Sequence, residues 1–250
     1  KAEALMLLET MQGINISKVK NTWKNFYSDY FENFNYRDLV VHAKYHNKLK
    51  DETLVQIIEK NSDFLSTIMI HTKDRANVFA TIIGILDSEN INFLDAKLFG
   101  MRNGYCLDFI TISDQSGQMI KKNSTIANSL TTRLIEALDQ EILMPKIVQR
   151  RQPRHLKHFN TDTIIEYKHD MTHRWTEVDI KTSDRPGLLA SICKVFLNHG
   201  ALIKKARIAT YGERAEDKFC ITSKENTPFL KKTELEKLIN DMNVSLSKKK

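Results

Sequence analysis

The chain has 250 residues and a mass of 29.0 kDa, with 41% hydrophobic and 28% charged residues. This is a globular composition with room for one or two domains, and with only 8 Gly and 4 Pro it excludes a disordered, collagen-like or Pro-rich chain. The net charge of +7 concentrates in Lys146–Lys157 and in the tail Lys248–Lys250, and reads as solvated linker and tail.

No apolar run approaches the roughly 18 residues a membrane span needs, and no charged segment followed by an apolar one opens the chain as a secretory signal does. Three cysteines, Cys106, Cys193 and Cys220, form no C-x-x-C pair. That count argues against a disulfide framework or a structural zinc site and fits a reducing, cytoplasmic home. The chain opens on Lys1 rather than Met, which reads as a piece of something longer.

Residues 1–60 read as a helical segment. Glu3–Met11 is apolar-rich and broken by Gly13 and Asn15. Ser17 then caps a helix on which Val19, Trp23, Phe26, Tyr30 and Phe34 recur at helical spacing, widened by Tyr27 and Phe31. Asn35 caps the next, with Leu39, Val40 and Ala43 inside, and Asp51 caps a last one running to Lys60. The aromatic stripe is core packing rather than a cofactor box.

After Asn61 the period changes to two. Thr67–Lys73 reads as a strand, Val78–Ser88 as an amphipathic helix, Ile91–Phe99 and Tyr105–Ser113 as strands, and Thr125–Leu138 as a helix. A closing strand is expected at His155–Phe159 or Thr163–Tyr167. The same order follows again: strand Thr176–Thr182, helix Leu188–Asn198, strands Ala201–Thr210 and Lys218–Thr222 joined around Gly212, helix Thr233–Met242, and a short strand Val244–Ser247. The copies align at an offset of 110, with Asp74-Arg75 on Asp184-Arg185, Ala80 on Ala190 and Ala96 on Ala206. One residue is lost in the turn, after which Asp108 falls on Asp217. Matches on helix and strand faces together mark a duplication. The predicted class is α+β: two ferredoxin-like βαββαβ units, in residues 61–168 and 169–250, after the helical segment.

The sharpest local feature is Asp184-Arg185-Pro186-Gly187-Leu188-Leu189, at a strand-to-helix junction. Asp184 can cap the helix, Pro186 suits its first turn, and Gly187 lets a ligand approach the backbone. The helix N-terminus favours a carboxylate, and Asp184 can accept an ammonium. These are the two poles of a free amino acid. The other reading is a well-built turn and nothing more. Copy one has Asp74-Arg75-Ala76-Asn77-Val78 there, without Pro or Gly.

D-R-P-G-L-L in this element order resembles the ACT domain, an amino-acid-sensing module. Ala206-Arg207-Ile208-Ala209-Thr210-Tyr211-Gly212-Glu213-Arg214-Ala215-Glu216-Asp217-Lys218-Phe219 resembles the ARI-x-T-x-GER-x-ED-x-F stretch of the bifunctional uridylyltransferase/uridylyl-removing family of nitrogen signalling. Pro153–Phe159 (PRHLKHF) is similar to that family's segment between its two C-terminal ACT domains. Trp23…Asp29-Tyr30-Phe31 and Val41-His42-Ala43 are similar to the helical segment before them.

The resemblance implies a glutamine-sensing region that switches catalytic domains lying outside this chain, enzymes of the PII protein. It implies no cofactor here, with Mg2+ or Mn2+ belonging to those domains. The ACT units are expected to pair within or between chains. The expected effector site is Asp184, Arg185, Pro186, Gly187 and Leu188 first, then Asp74, Arg75, Ala76 and Asn77. Asn92, at the start of the next strand, joins the second set because other ACT sensors hold the amino acid with a polar residue there; copy two has Leu202.

Three features are discounted. His169-Asp170 lacks the further ligands of a phosphohydrolase centre. His42 and His46 stand four apart but lack the Glu of H-E-x-x-H. A basic RNA-binding protein of the same strand order is the rival reading, with Tyr105 and Phe109 as stacking residues. Glu216 and Asp217 in copy two would repel phosphate at the matching place and disfavour nucleic acid.

Overall fold

The computed structural model describes residues 1–46, 52–59, 65–140, 162–211 and 214–247. The segment 153–159, the turn residues Gly212 and Glu213, the basic stretch 146–157 and the tail 248–250 lie outside them.

Four helices open the chain: α1 (Ala2–Glu9), α2 (Ile16–Trp23), α3 (Ser28–Glu32) and α4 (Tyr36–His46). Asn15, not Ser17, caps α2, its side chain accepting from Lys18 N–H at 2.9 Å. The aromatic stripe does not run along one helix. The chain turns after Trp23, Phe26 forms a single bridge with Met101 of the sheet, and Tyr30 starts a fresh face on α3. Asn35 does cap α4, accepting from Arg37 N–H and Asp38 N–H.

The rest is one mixed α/β body. Its strands are β1 (Leu54–Glu59), β2 (Ser66–Lys73), β3 (Asn92–Gly100), β4 (Tyr105–Ser113), β5 (Ile164–Asp170), β6 (Trp175–Ser183), β7 (Leu202–Tyr211) and β8 (Arg214–Thr222). They make a single antiparallel sheet of order β1-β2-β4-β3-β7-β8-β6-β5. Helices α5 (Val78–Ser88), α6 (Thr125–Asp139), α7 (Leu188–Asn198) and α8 (Lys232–Leu246) pack on one face of it in a shared core.

Two sequence expectations fail here. Residues 54–59 form a strand, not the end of a helix. Val55 and Ile57 enter the core beneath the helices while Ile58 enters the core on the other face, so burial on both sides removes the alternation that marks a strand. The strand expected at Val244–Ser247 is the last turn of α8. Leu235, Leu238, Met242 and Leu246 are buried at helical spacing, while Val244 is 70% exposed.

Each half therefore runs ββαββα rather than βαββαβ. The edge position beside the first strand of the repeat, expected for a closing strand, is filled by the preceding one: β1 beside β2, and β5 beside β6. The segment expected to close copy one, Thr163–Tyr167, falls largely in β5 and pairs with copy two.

The duplication is visible in the details. α5 and α7 both end in a left-handed residue, Asn90 (φ 58°) and Gly200 (φ 64°). Both are followed by the same backbone bond, Ile91 N–H to Leu86 O and Ala201 N–H to Phe196 O, each 2.9 Å. The halves meet where β3 pairs with β7, through Asp95↔Arg207, Ala96↔Ala206 and Lys97↔Lys205. Equivalent residues face each other, so a local twofold axis passes through this pairing.

The outer faces differ. On the first half, α1–α4 cover Met69, Phe99, Leu107 and Phe109 with a second core. On the second half the outer face is a ladder of cross-strand ion pairs, Lys168–Glu177 at 3.0 Å and Lys218–Asp179 at 3.1 Å. Such a face is at home in water and needs no cover.

Candidate functional site

β3 and β7 pair over only three residue pairs, then separate towards both ends. At one end of this seam a cleft of about 800 Å3 opens between Leu98–Met101 of β3 and Leu202–Lys205 of β7. The turn Asp74–Ala76 and the start of α5 form one wall, the end of α7 another. Asp29 and Glu32 of α3 and the turn Thr172–Trp175 close the rim. The cleft thus draws on both halves and on the helical segment.

Asp74 is held by its backbone N–H, which donates to Gly104 O at 3.0 Å. Its carboxylate lies against Gly100, where a Cβ would stand 3.1 Å from Asp74 Oδ2. Glycine lets the acid sit on the strand. Beside it, Asp108 is 3% exposed and accepts from Phe99 N–H at 3.3 Å. Burial, and then the Asp74 charge, push the Asp108 carboxyl up to about 7. Burial also raises Asp74 and Asp29, and the Lys204 ammonium opposes the rise at all three acids. The cleft therefore holds an acidic pole from half one and the helical segment, and a basic pole, Lys204 and Lys205, from half two.

Of the expected residues, Asp74, Arg75 and Ala76 line this cleft. Arg75 also has a structural task, donating to Leu138 O near the end of α6. Asn77 precedes α5 with φ −95° and makes no capping bond through its side chain. Asn92 is not beside Asp74. It stands at the other end of β3, donating to Ser113 Oγ at 3.3 Å and to Asp114 O at 2.6 Å.

The turn Asp184–Leu188 does not line this cleft. The twofold relation assigns it to the opposite end of the seam, beside the end of β7 and the start of β3, the end that also carries Asn92. Gly187 has φ 75°, a left-handed conformation Asn77 does not share, so the two turns are not alike in backbone. Asp184 does not occupy the helix cap; Gly187 does, and no side chain caps α7. Arg185 Nη2 donates to Ser245 O at 3.0 Å, as Arg75 does to Leu138. The acid pair recurs too: burial, and then Asp184, push Asp217 up to about 7.

Sequence reading missed Trp175, Lys204, Lys205 and Thr222, all of which line the cleft. No motif marks them. They become visible only once β3 and β7 are known to pair, which brings the start of copy two's second strand against copy one's turn.

The discounted features have ordinary tasks. Asp170 accepts from His173 N–H at 3.0 Å and from its ring at 2.7 Å, which lowers the acid and ties the β5–β6 turn. His169 meets Thr176 Oγ1 at 3.0 Å. His42 is buried, bonded to Tyr30 Oη at 3.0 Å and stacked on Phe109. Phe109, the stacking residue the RNA reading needs, is 3% exposed beneath that helical cover. Among the described residues no group of three or more His, Cys, Asp or Glu could hold a metal, no helix is long and apolar enough to cross a membrane, and the three cysteines are free and buried.

No family model matches the chain. Curated relatives do. It is 31% identical over 220 residues to a bifunctional uridylyltransferase/uridylyl-removing enzyme of Acinetobacter baumannii, covering 85% of this chain and 24% of that enzyme. The enzyme of the same name from Vibrio campbellii is 30% identical over 241 residues, 94% of this chain and 27% of its own length. The Photobacterium profundum enzyme is 30% identical over 220 residues. The chain spans about a quarter of the length of the curated relatives it matches. A solved structure of an unknown protein from Galdieria sulphuraria aligns with 77% of this chain and 92% of its own at 13% identity, with a TM-score of 0.23.

Proposed function

The chain is homologous, over nearly all its length, to a quarter-length region of bifunctional uridylyltransferase/uridylyl-removing enzymes, and from that premise we propose that it is the glutamine-sensing regulatory region of such an enzyme. On this reading the two halves are ACT-type units paired within one chain. The observation that carries the reading is the cleft at the β3–β7 seam, with an acidic pole on one half and a basic pole on the other.

An amino acid needs both poles. Its ammonium meets Asp74, backed by Asp108, and its carboxylate meets the cations of β7. A molecule held this way bridges the halves and favours the arrangement in which they close on it. It shifts the catalytic domains outside this chain only by its difference in affinity for their two states. Those domains are where the PII protein is modified and where Mg2+ or Mn2+ acts. The three free, buried cysteines support a reducing cytoplasmic setting.

The test is calorimetry of the 250-residue chain against glutamine, glutamate and serine. Glutamine should give saturable heat, and Asp74→Asn should weaken it about tenfold or more by removing the charged partner of the ammonium. A folded chain that gives no heat with glutamine refutes the sensor.

A further inference from the structure

Two polar side chains on the far wall of the cleft make no hydrogen bond to any of the described residues. They are the hydroxyl of Thr222, 3% exposed, and the buried indole N–H of Trp175. A buried donor without a partner costs free energy and is rare in a native fold. These two are neighbours. Thr176 pairs with Ile221 across β6 and β8, so Trp175 and Thr222, one step further along, face each other from adjacent strands.

The two halves differ at this place. Thr222 is the counterpart of Ser113 in copy one, and Leu202 the counterpart of Asn92. In copy one Asn92 pairs with Ser113 across the strands and donates to its hydroxyl at 3.3 Å. In copy two Leu202 pairs with Thr222 and has nothing to offer it. The same place in the fold is satisfied internally in one half and left open, on a cleft wall, in the other. Lys205 Nζ lies 4.7 Å from the Trp175 ring centroid, and the His173 ring stacks on the indole at 4.7 Å. The indole plane is thus held, with a positive charge over its ring.

We propose that Thr222 Oγ1–H and Trp175 Nε1–H, with Lys205 supplying charge, form the subsite for the α-carboxylate of the amino acid bound in this cleft. This rests on the sensor reading and deepens it, because it fixes which way round the ligand lies. Both groups donate and both lack an acceptor, so a common partner that satisfies them is an oxygen. The adjacent ammonium selects an anionic one. The carboxylate is therefore read by side chains of copy two, not by the N-terminus of a helix.

The experiment is calorimetry of the full chain and of Thr222→Val and Trp175→Phe, with glutamine and with glutamine whose α-carboxylate is amidated. Thr222→Val keeps shape and Trp175→Phe keeps an aromatic ring, and each removes one donor. Each should weaken glutamine about tenfold, the effect of losing one hydrogen bond to a charged group. The amidated ligand should bind the unaltered chain weakly, and Thr222→Val should weaken it no further. Thr222→Val should also melt at or above the temperature of the unaltered chain, since it deletes an unsatisfied hydroxyl. If Asp74→Asn abolishes glutamine binding while both variants titrate like the unaltered chain, the subsite is refuted and the sensor stands. If the unaltered chain gives no heat with glutamine, the sensor reading falls and the subsite with it.

Discussion

Ala96 lies directly across the seam from Ala206, its counterpart in the repeat, and both are almost completely buried, at 0% and 1% exposure. Their neighbours cross over: Asp95 faces Arg207 and Lys97 faces Lys205. The pair marks the local twofold axis, and small side chains there let α5 and α7 close over the seam. Because the two halves of the sheet join only through these three pairs, the geometry of the cleft is set here. Ala206→Leu inserts three carbons into a packed interface. Overpacking of this kind costs about 1–3 kcal/mol. A denaturant titration should show that loss, and glutamine affinity should fall with it. An unchanged midpoint would mean the seam is looser than the pairing requires.

The buried acids Asp108 and Asp217 give stability a pH dependence with a definite sign. Both carboxyls titrate near 7 in the folded chain and near 3.8 as free side chains. The folded state therefore holds protons that the unfolded state releases. The stability these two groups contribute is greatest below about pH 4, falls as the pH rises towards 7, and is level above it. The slope is at most about 1.4 kcal/mol per pH unit for each group. Each acid faces a partner, Asp74 or Asp184, so the observed midpoints belong to the pairs. Asp108→Asn, which imitates the protonated form, should raise the melting temperature at pH 8 and flatten the profile between pH 4 and 7. A variant destabilised at pH 8 would show that Asp108 is held as an anion.

Much of this was legible in the sequence, and the exceptions have causes. Val78–Ser88, Tyr105–Ser113 and Leu188–Asn198 were readable to the residue because their periods are clean and their ends are marked. β1 was not, because a strand buried on both faces has no alternation. The last turn of α8 was not, because Val244 and Ser245 have strand-like neighbours and only the spacing from Met242 to Leu246 shows the helix. Within the site, Asp74, Arg75 and Ala76 could be named from the repeat. Asn92 stands apart from Asp74, because the length of β3 places it at the far end of that strand. Trp175 and Thr222 carry no local signal. Their role depends on a cross-strand pairing and on an Asn-to-Leu difference between copies that only the register interprets.

Inside the helical segment one buried polar contact joins α3 to α4, Tyr30 Oη to His42 Nδ1 at 3.0 Å, amid rings from both layers. Tyr30 packs edge-on to Phe99, and His42 stacks on Phe109. Tyr30→Phe keeps the ring and removes its hydroxyl from a buried imidazole. The cost should be about 1–3 kcal/mol by chemical denaturation. His42→Leu added to Tyr30→Phe should recover part of it, since no polar atom is then stranded. A double variant weaker than both singles would place the stabilisation in ring packing instead of the hydrogen bond.

Arg75 and Arg185 separate structural from ligand-binding residues in the two turns. Each guanidinium reaches the carbonyl of the penultimate residue of the second helix in its half, Leu138 in α6 and Ser245 in α8. The last carbonyls of a helix have no partner within it and carry its negative end, so a cation there satisfies both. The conserved geometry between halves, despite different turn backbones at Asn77 and Gly187, identifies fold maintenance as the shared task. Arg185→Ala should cost about 1–2 kcal/mol, from one charge-assisted bond and the helix dipole. Amide exchange in the final turn of α8 should rise, with little change elsewhere. Glutamine affinity at the Asp74 cleft should hold within twofold, because Arg185 lies at the opposite end of the seam. A tenfold loss of affinity with an unchanged α8 would instead make Arg185 an effector ligand, and would move the working site to the Asp184 turn.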